Sequence, residues 1–244
     1  MANNDERSIG GSRILRHAAA DPPQGYAEMD SEAHNAIHEH LCTFVGEPAN
    51  VFHELVSETV HIDVHIIPPS QDDNSYTLVT TGMSDLPMTA PAGAEDFRYA
   101  ELLISLPSTW TPGLLWKADF SDESIYWPIR LLKTLARFPH TYNTWLGYGH
   151  TIPNGDPPRP YADGTELCCA LVMPAPTLPR EFARLAVRPG KTISFYAVVP
   201  LYESEMRFKL NEGTDPLLER LFDESVTEFL DPKRPSVVRR SRFS

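Results

Sequence analysis

Apolar positions recur at helical spacing in three stretches of the chain, and short β-branched and aromatic runs lie between them. Asp30 or Ser31 caps a predicted helix with Ala33, Ile37, Leu41, Phe44 and Val45 along one side, and a second short helix is expected after Pro48. Ile129, Leu132, Leu135 and Ala136 mark a helix over Ile125–Phe138. Pro128 fits its first turn, where the missing N–H costs nothing, and Pro139 is expected to stop it. A last helix, capped by Thr214 or Asp215, carries Leu217, Leu218, Leu221 and Phe222. Strands are predicted at Val60–Ile67, Tyr76–Thr81, Ala100–Leu106, Trp145–Ile152, Thr165–Met173 and Thr192–Pro200. Strands in the middle and helices towards both ends predict an α+β fold, with a mixed, mainly antiparallel sheet of about six strands covered by helices on both faces.

Composition sets the boundaries. Proline is frequent, 23 of 244 residues, and clusters at Pro87–Pro91, Pro153–Pro160 and Pro174–Pro179, which marks loops. Residues 1–27 are polar and read as a flexible extension, 28–231 as one domain and 232–244 as a basic tail. No apolar run reaches the ~18–20 residues of a membrane span, and the polar start is unlike a secretory signal, so no membrane partner is expected. Three cysteines, Cys42, Cys168 and Cys169, give no disulfide framework and point to a reduced, cytoplasmic setting.

The net charge is −12, and five basic residues fall in the last twelve positions, leaving the remainder at −17. Such a field repels phosphate backbones, so nucleic acid is not an expected partner, whereas a basic protein is.

The sharpest local pattern is His61-Ile62-Asp63-Val64-His65. In a strand, His61, Asp63 and His65 share one face, and two imidazoles with a carboxylate are competent metal ligands for a hydrolase. Same-face neighbours along a strand lie ~6.5–7 Å apart, however, so three in line converge poorly. Help from His34, His38 or His40 would be needed, and a polar strand face is the simpler reading. No GxSxG, GxxxxGK or GxGxxG is present, and Cys168 and Cys169 sit in an apolar run. The expectation is a non-enzymatic protein without cofactor or metal. Aromatic and polar residues instead concentrate in Tyr142-Asn143-Thr144-Trp145-Leu146-Gly147-Tyr148-Gly149-His150. Alternation puts Trp145, Gly147 and Gly149 on one face and Leu146, Tyr148 and His150 on the other, one packing inward and one available for recognition.

The serial order of several segments resembles the suppressor-of-fused family. Tyr76–Leu86, containing Gly82-Met83-Ser84-Asp85-Leu86, is followed by Ala100–Leu106, Trp127–Arg137, Asn143–His150, Phe195–Met206 and Leu217–Leu221, so the likeness runs from about His61 to Phe229. The resemblance implies an α+β domain that binds proteins and has no established catalysis. Animal members sequester Gli-type transcription factors and carry a further C-terminal domain, which this chain is expected to lack. A tyrosine and an aspartate that hold the peptide in those proteins fall here at Phe138 and Gly149, so that partner is not implied. Bacterial single-domain members resemble immunity proteins that neutralise a cognate toxin. The implied function is therefore toxin neutralisation, with sequestration of another cytosolic protein as the alternative and the metal-dependent hydrolase as a second one. The implied docking residues are Asp85, Tyr142, Trp145, Tyr148 and His150.

Overall fold

The computed structural model describes residues 6–17, 27–53, 60–71, 73–110 and 121–238. The chain forms α1 (Ser31–Phe44), β1 (Asn50–Phe52), β2 (Asp63–Ile67), β3 (Ser75–Thr81), β4 (Tyr99–Pro107) and α2 (Glu123–Thr141). It continues with β5 (Thr151–Pro153), β6 (Cys169–Met173), β7 (Arg184–Arg188), β8 (Lys191–Leu201), α3 (Glu203–Glu212) and α4 (Thr214–Asp223).

Among the described residues eight strands join one sheet, seven in the order β1-β2-β3-β4-β8-β6-β5 and β7 off this path beside β8. Strand β8 pairs in parallel with β4, and its other edge pairs antiparallel with β7 through the first half and with β6 through the second. The remaining pairings are antiparallel. The sheet separates two cores, because successive side chains alternate between its faces. On one face Leu78, Leu102, Ile104 and Val172 pack under α2 through Trp127, Leu131, Leu132 and Leu135. On the other, Val79, Leu103, Leu171 and Val199 pack with Ile37 and Leu41 of α1 and Leu217 and Leu221 of α4. The two-faced α+β architecture read from the sequence is therefore the observed one. Among the described residues no helix is long and apolar enough to cross a membrane.

Several local expectations are corrected. The segment after Pro48 is strand β1, which pairs with β2, and not a helix. Helix α2 runs through Pro139 to Thr141, two residues past the expected stop. Among the described residues the sheet has eight strands rather than about six, since β1 and β7 were not foreseen, and α3 was not foreseen either. The largest correction concerns Trp145–Ile152, where only Thr151–Pro153 is strand. Residues 145–150 turn instead: Gly149 has φ +78°, and a Cβ there would sit 3.1 Å from both Cγ2 and Oγ1 of Thr214. The backbone rejoins the sheet at this point, the Gly149 N–H donating to Val172 O at 2.8 Å.

The termini also pack more than composition predicts. The Gly10 N–H donates to Leu210 O at 2.8 Å, and the His17 ring lies 5.3 Å from Phe138 and 5.8 Å from Tyr142. The described part of the extension is thus held at two points. Arg234, assigned to the basic tail, is buried, with its guanidinium paired to the fully buried Glu205. Residues 239–244 of the tail, with Arg239, Arg240 and Arg242, lie outside the described residues.

Candidate functional site

The Gly82–Asp85 turn that follows β3 is tied by hydrogen bonds to β4, α1 and α2. Met83–Asp85 form one turn of 3-10 helix entered through Gly82 at φ +101°. Beneath it the Glu101 side chain of β4 is fully buried. Thr80 Oγ1 donates to its Oε2 at 2.6 Å, and the Ser84 hydroxyl and N–H donate to Oε1 at 2.6 and 2.9 Å. From α2, the His140 ring donates through Nε2 to Met83 O at 2.9 Å. From α1, His34 Nε2 donates to the Asp85 carboxylate at 3.0 Å, and the Asp30 N–H donates to the same oxygen at 3.3 Å. The Asp85 hydrogen bond holds the His34 imidazole above its usual pKa, against the opposing effect of burial.

Asp85 therefore lies at a junction of β3, β4, α1 and α2, with its side chain only 2% exposed. Read from the sequence as a docking residue, it has its carboxylate bonded internally to His34 and Asp30. It could reach a partner only by giving up its bonds to His34 and Asp30.

Burial pushes the Glu101 carboxyl up to about 7, although its three donors act in the opposite direction, and the Asp85 charge adds to the rise. The native state favours the neutral acid more than the unfolded chain does, whose value is 4.5. The contribution to stability is full below about pH 4.5 and is lost as pH rises through about 7, a total of ~3 kcal/mol. Glu101→Gln should remove that slope. The difference in urea stability between variant and parent should move by ~3 kcal/mol in favour of the variant between about pH 4.5 and about pH 8. Taking the difference removes the titrations that are independent of Glu101; His34 is not among them, since the Glu101 charge also raises it. A pH-independent difference would mean that Glu101 ionises normally.

The aromatic run divides into separate contacts. Tyr142, just past α2, stacks obliquely on Phe138 at 4.8 Å between centroids. Trp145 meets His150 edge-on at 4.5 Å, so these two faces of the imagined strand fold onto each other. Burial, reinforced by the charge of Lys209, pushes His150 down to about 4, which leaves it a neutral, inward-packed ring. Tyr148 is different. It is half exposed, and its hydroxyl donates to Asp215 at the start of α4 at 3.2 Å. Of the five sequence-derived docking residues, Tyr148 alone presents a large exposed ring, and Asp85, Tyr142, Trp145 and His150 are partly covered, the Asp85 carboxylate being bonded internally.

The structure extends the surface around Tyr148 along α4. Asp215, Glu219, Phe222 and Asp223 follow at helical spacing and are all exposed, while Leu217, Leu218 and Leu221 face the core. Arg220 is drawn aside over the Phe208 ring at 4.3 Å. The apolar stripe of α4 was legible in the sequence except at Phe222, which was expected in the stripe and is 46% exposed on the opposite face. That this opposite face adjoins Tyr148 was not legible, because Tyr148 and Asp215 are 67 residues apart.

The His61, Asp63 and His65 set does not assemble. His61 Nε2 and His53 Nδ1 each lie 3.0 Å from one oxygen of Asp63, whereas His65 Nε2 hydrogen-bonds Thr81 Oγ1 at 3.1 Å. The ligand-like group is thus His53, His61 and Asp63, with the first histidine supplied from beyond β1. His61 reaches Asp63 from before the start of β2, whereas His65, within the strand, is held by Thr81 on the neighbouring strand β3. Cys168 and Cys169 are buried, and burial pushes both thiols up, which suits core filling and not nucleophilic attack.

This sheet, with its helices and its cross-linked turn, defines a protein of the suppressor-of-fused type. The family model of suppressor of fused protein (SUFU) matches residues 58–235, and the chain belongs to this family. A suppressor-of-fused homologue from Neisseria gonorrhoeae superposes with a TM-score of 0.59 at 16% identity, covering 87% of this chain and 98% of that one. The chain of a Sufu–Fu complex gives 0.57 at 17% identity, over 83% and 91%. Drosophila Suppressor of Fused gives 0.50 at 17% identity over 72% of this chain, which matches 42% of that longer protein. No curated protein matches the sequence.

Proposed function

We propose that the protein is a non-enzymatic, cytoplasmic binding domain that neutralises a basic toxin by docking it on Tyr148 and the outer face of α4. The observation that carries this reading is the half-exposed Tyr148 ring, fixed by its hydrogen bond to Asp215 beside the exposed Glu219, Phe222 and Asp223. Aromatic rings held in one rotamer lose little entropy on binding, and an acidic surround steers a basic partner towards them. Family membership supports protein binding, and a Sufu–Fu complex exists for one structural relative. The buried carboxylate and histidines of the central turn are engaged in internal hydrogen bonds, which fits a scaffold. Sequestration of a different cytosolic protein would use the same surface.

The test begins with capture of the partner from native lysate and its expression with and without this protein. Toxicity relieved by co-expression supports immunity, and a harmless partner supports sequestration instead. Tyr148→Ala should weaken binding by about thirtyfold while the melting temperature stays within a few degrees of the parent. Unchanged affinity in a folded Tyr148→Ala, Phe222→Ala variant would remove this surface from consideration.

A further inference from the structure

Helix α1 ends in a second group of chemically distinctive side chains, remote in role from the binding surface. His38 and Cys42 are four residues apart and so stand one above the other on one helix face. The turn that closes the helix, with the Val45 and Gly46 N–H groups both donating to Leu41 O, brings Glu47 back towards them. Cys42 Sγ lies 3.7 Å from His38 Nε2 and 3.0 Å from Glu47 Oε2, and His38 Nε2 lies 3.7 Å from Glu47 Oε1.

The two contacts to Glu47 run to different carboxylate oxygens, and one donor atom from each of the three residues lies within 4.8 Å of the others, somewhat wider than the edges of a tetrahedron around one ion. Donors bound at ~2.0 Å for nitrogen and oxygen and ~2.3 Å for sulfur are held ~3.3–3.6 Å apart. Rotation of the exposed Glu47 carboxylate and small movements of the exposed His38 and Cys42 side chains would close the site on one oxygen. Imidazole, thiolate and carboxylate together select a borderline-soft dication and disfavour magnesium and calcium, which prefer all-oxygen shells. Exposure of the group leaves the fourth position open to water. The geometry points to a zinc-type metal site formed by His38, Cys42 and Glu47. On binding, the Cys42 S–H bond breaks, its proton passes to solvent, and the thiolate bonds to the metal. The ion then clips the last turn of α1 to the segment that leads into edge strand β1.

Cobalt(II) is a suitable probe, because a thiolate bonded to it produces a near-ultraviolet charge-transfer band. Cys168 and Cys169 are buried, so a band in the folded, reduced chain reports Cys42. Titrating the full chain with cobalt should produce the band, saturating at one thiolate-bound ion per chain, and zinc should displace it. Cys42→Ser should abolish the band. His38→Ala and Glu47→Gln should each weaken the affinity by about tenfold or more, with unchanged melting temperature in the absence of metal. A His53→Ala, His61→Ala variant should keep the band, since those residues flank the separate Asp63 carboxylate. Absence of a band at millimolar cobalt would overturn the proposal. So would a band whose affinity is indifferent to His38 and Glu47, or one that disappears with His53 and His61.

Discussion

Arg234→Ala should lower the melting temperature by about 10 °C, although the substitution lies in a segment whose composition reads as solvated tail. The Arg234 guanidinium meets the Glu205 carboxylate in a two-pronged contact at 2.7 and 2.6 Å, and it also donates to Pro200 O at 3.0 Å. The Glu205 side chain is fully buried and that of Arg234 is 9% exposed. Removing the arginine leaves a carboxylate without its counter-charge in a place water does not reach, a loss of ~3–5 kcal/mol. In a chain of this length each kcal/mol corresponds to ~2–4 °C. Two further bonds tell the pair from a simple charge effect: the Tyr202 and Val237 N–H groups both donate to Glu205. An Arg234→Met, Glu205→Gln double variant keeps an acceptor for those donors and buries no charge. It should recover at least half of the loss. A melting temperature within ~2 °C of the parent for Arg234→Ala would show that the tail does not dock as described.

Gly82→Ala is the second substitution with a large expected effect, ~3–5 kcal/mol by urea titration. At φ +101° an alanine pays ~1–2 kcal/mol for the left-handed backbone alone. Its Cβ would also lie 1.9 Å from His61 O, a backbone atom that cannot rotate away. Relief requires moving either the entry to β2 or the turn itself. Moving the turn draws the Ser84 N–H and hydroxyl off Glu101, leaving a buried acid short of donors. Gly93→Ala is a control, with a similar φ of +88° and open space around it. It should cost no more than the backbone term, and equal losses at both positions would refute the steric argument.

The elements legible in the sequence are those whose buried stripe is apolar. Ile37 and Leu41 in α1, Leu132 and Leu135 in α2, and the cores of β3, β4 and β8 all follow the periodicity that burial demands. Glu101, the one acid inside the apolar run of β4, was not foreseen as a buried group, and its donors leave no trace in the sequence. Helix α3 escaped because its buried positions include Glu205 and Lys209, charged residues that a periodicity argument assigns to solvent. Burial of Glu205 depends on Arg234, 29 residues later, and only the folded chain brings them together. Strand β7 did alternate, with Leu185 and Val187 inward of Arg184, Ala186 and Arg188, but five residues are too short a signal to stand alone.

The aromatic run failed as a strand for a related reason. Alternation of Trp145, Leu146, Gly147 and Tyr148 fits a strand locally, but Gly149 adopts a positive φ beside Thr214, and the run turns onto α4. The sequence by itself determined the two-faced α+β sheet and its cores, since burial of apolar surface is written into residue spacing. It also determined the family, through the order of its segments. Tertiary structure alone decided which polar groups meet: Asp85 turned inward to His34, Tyr148 placed beside Asp215, and Arg234 drawn into the interior. Those pairings join residues far apart in the chain, and electrostatic and hydrogen-bond partners leave no periodic trace along it.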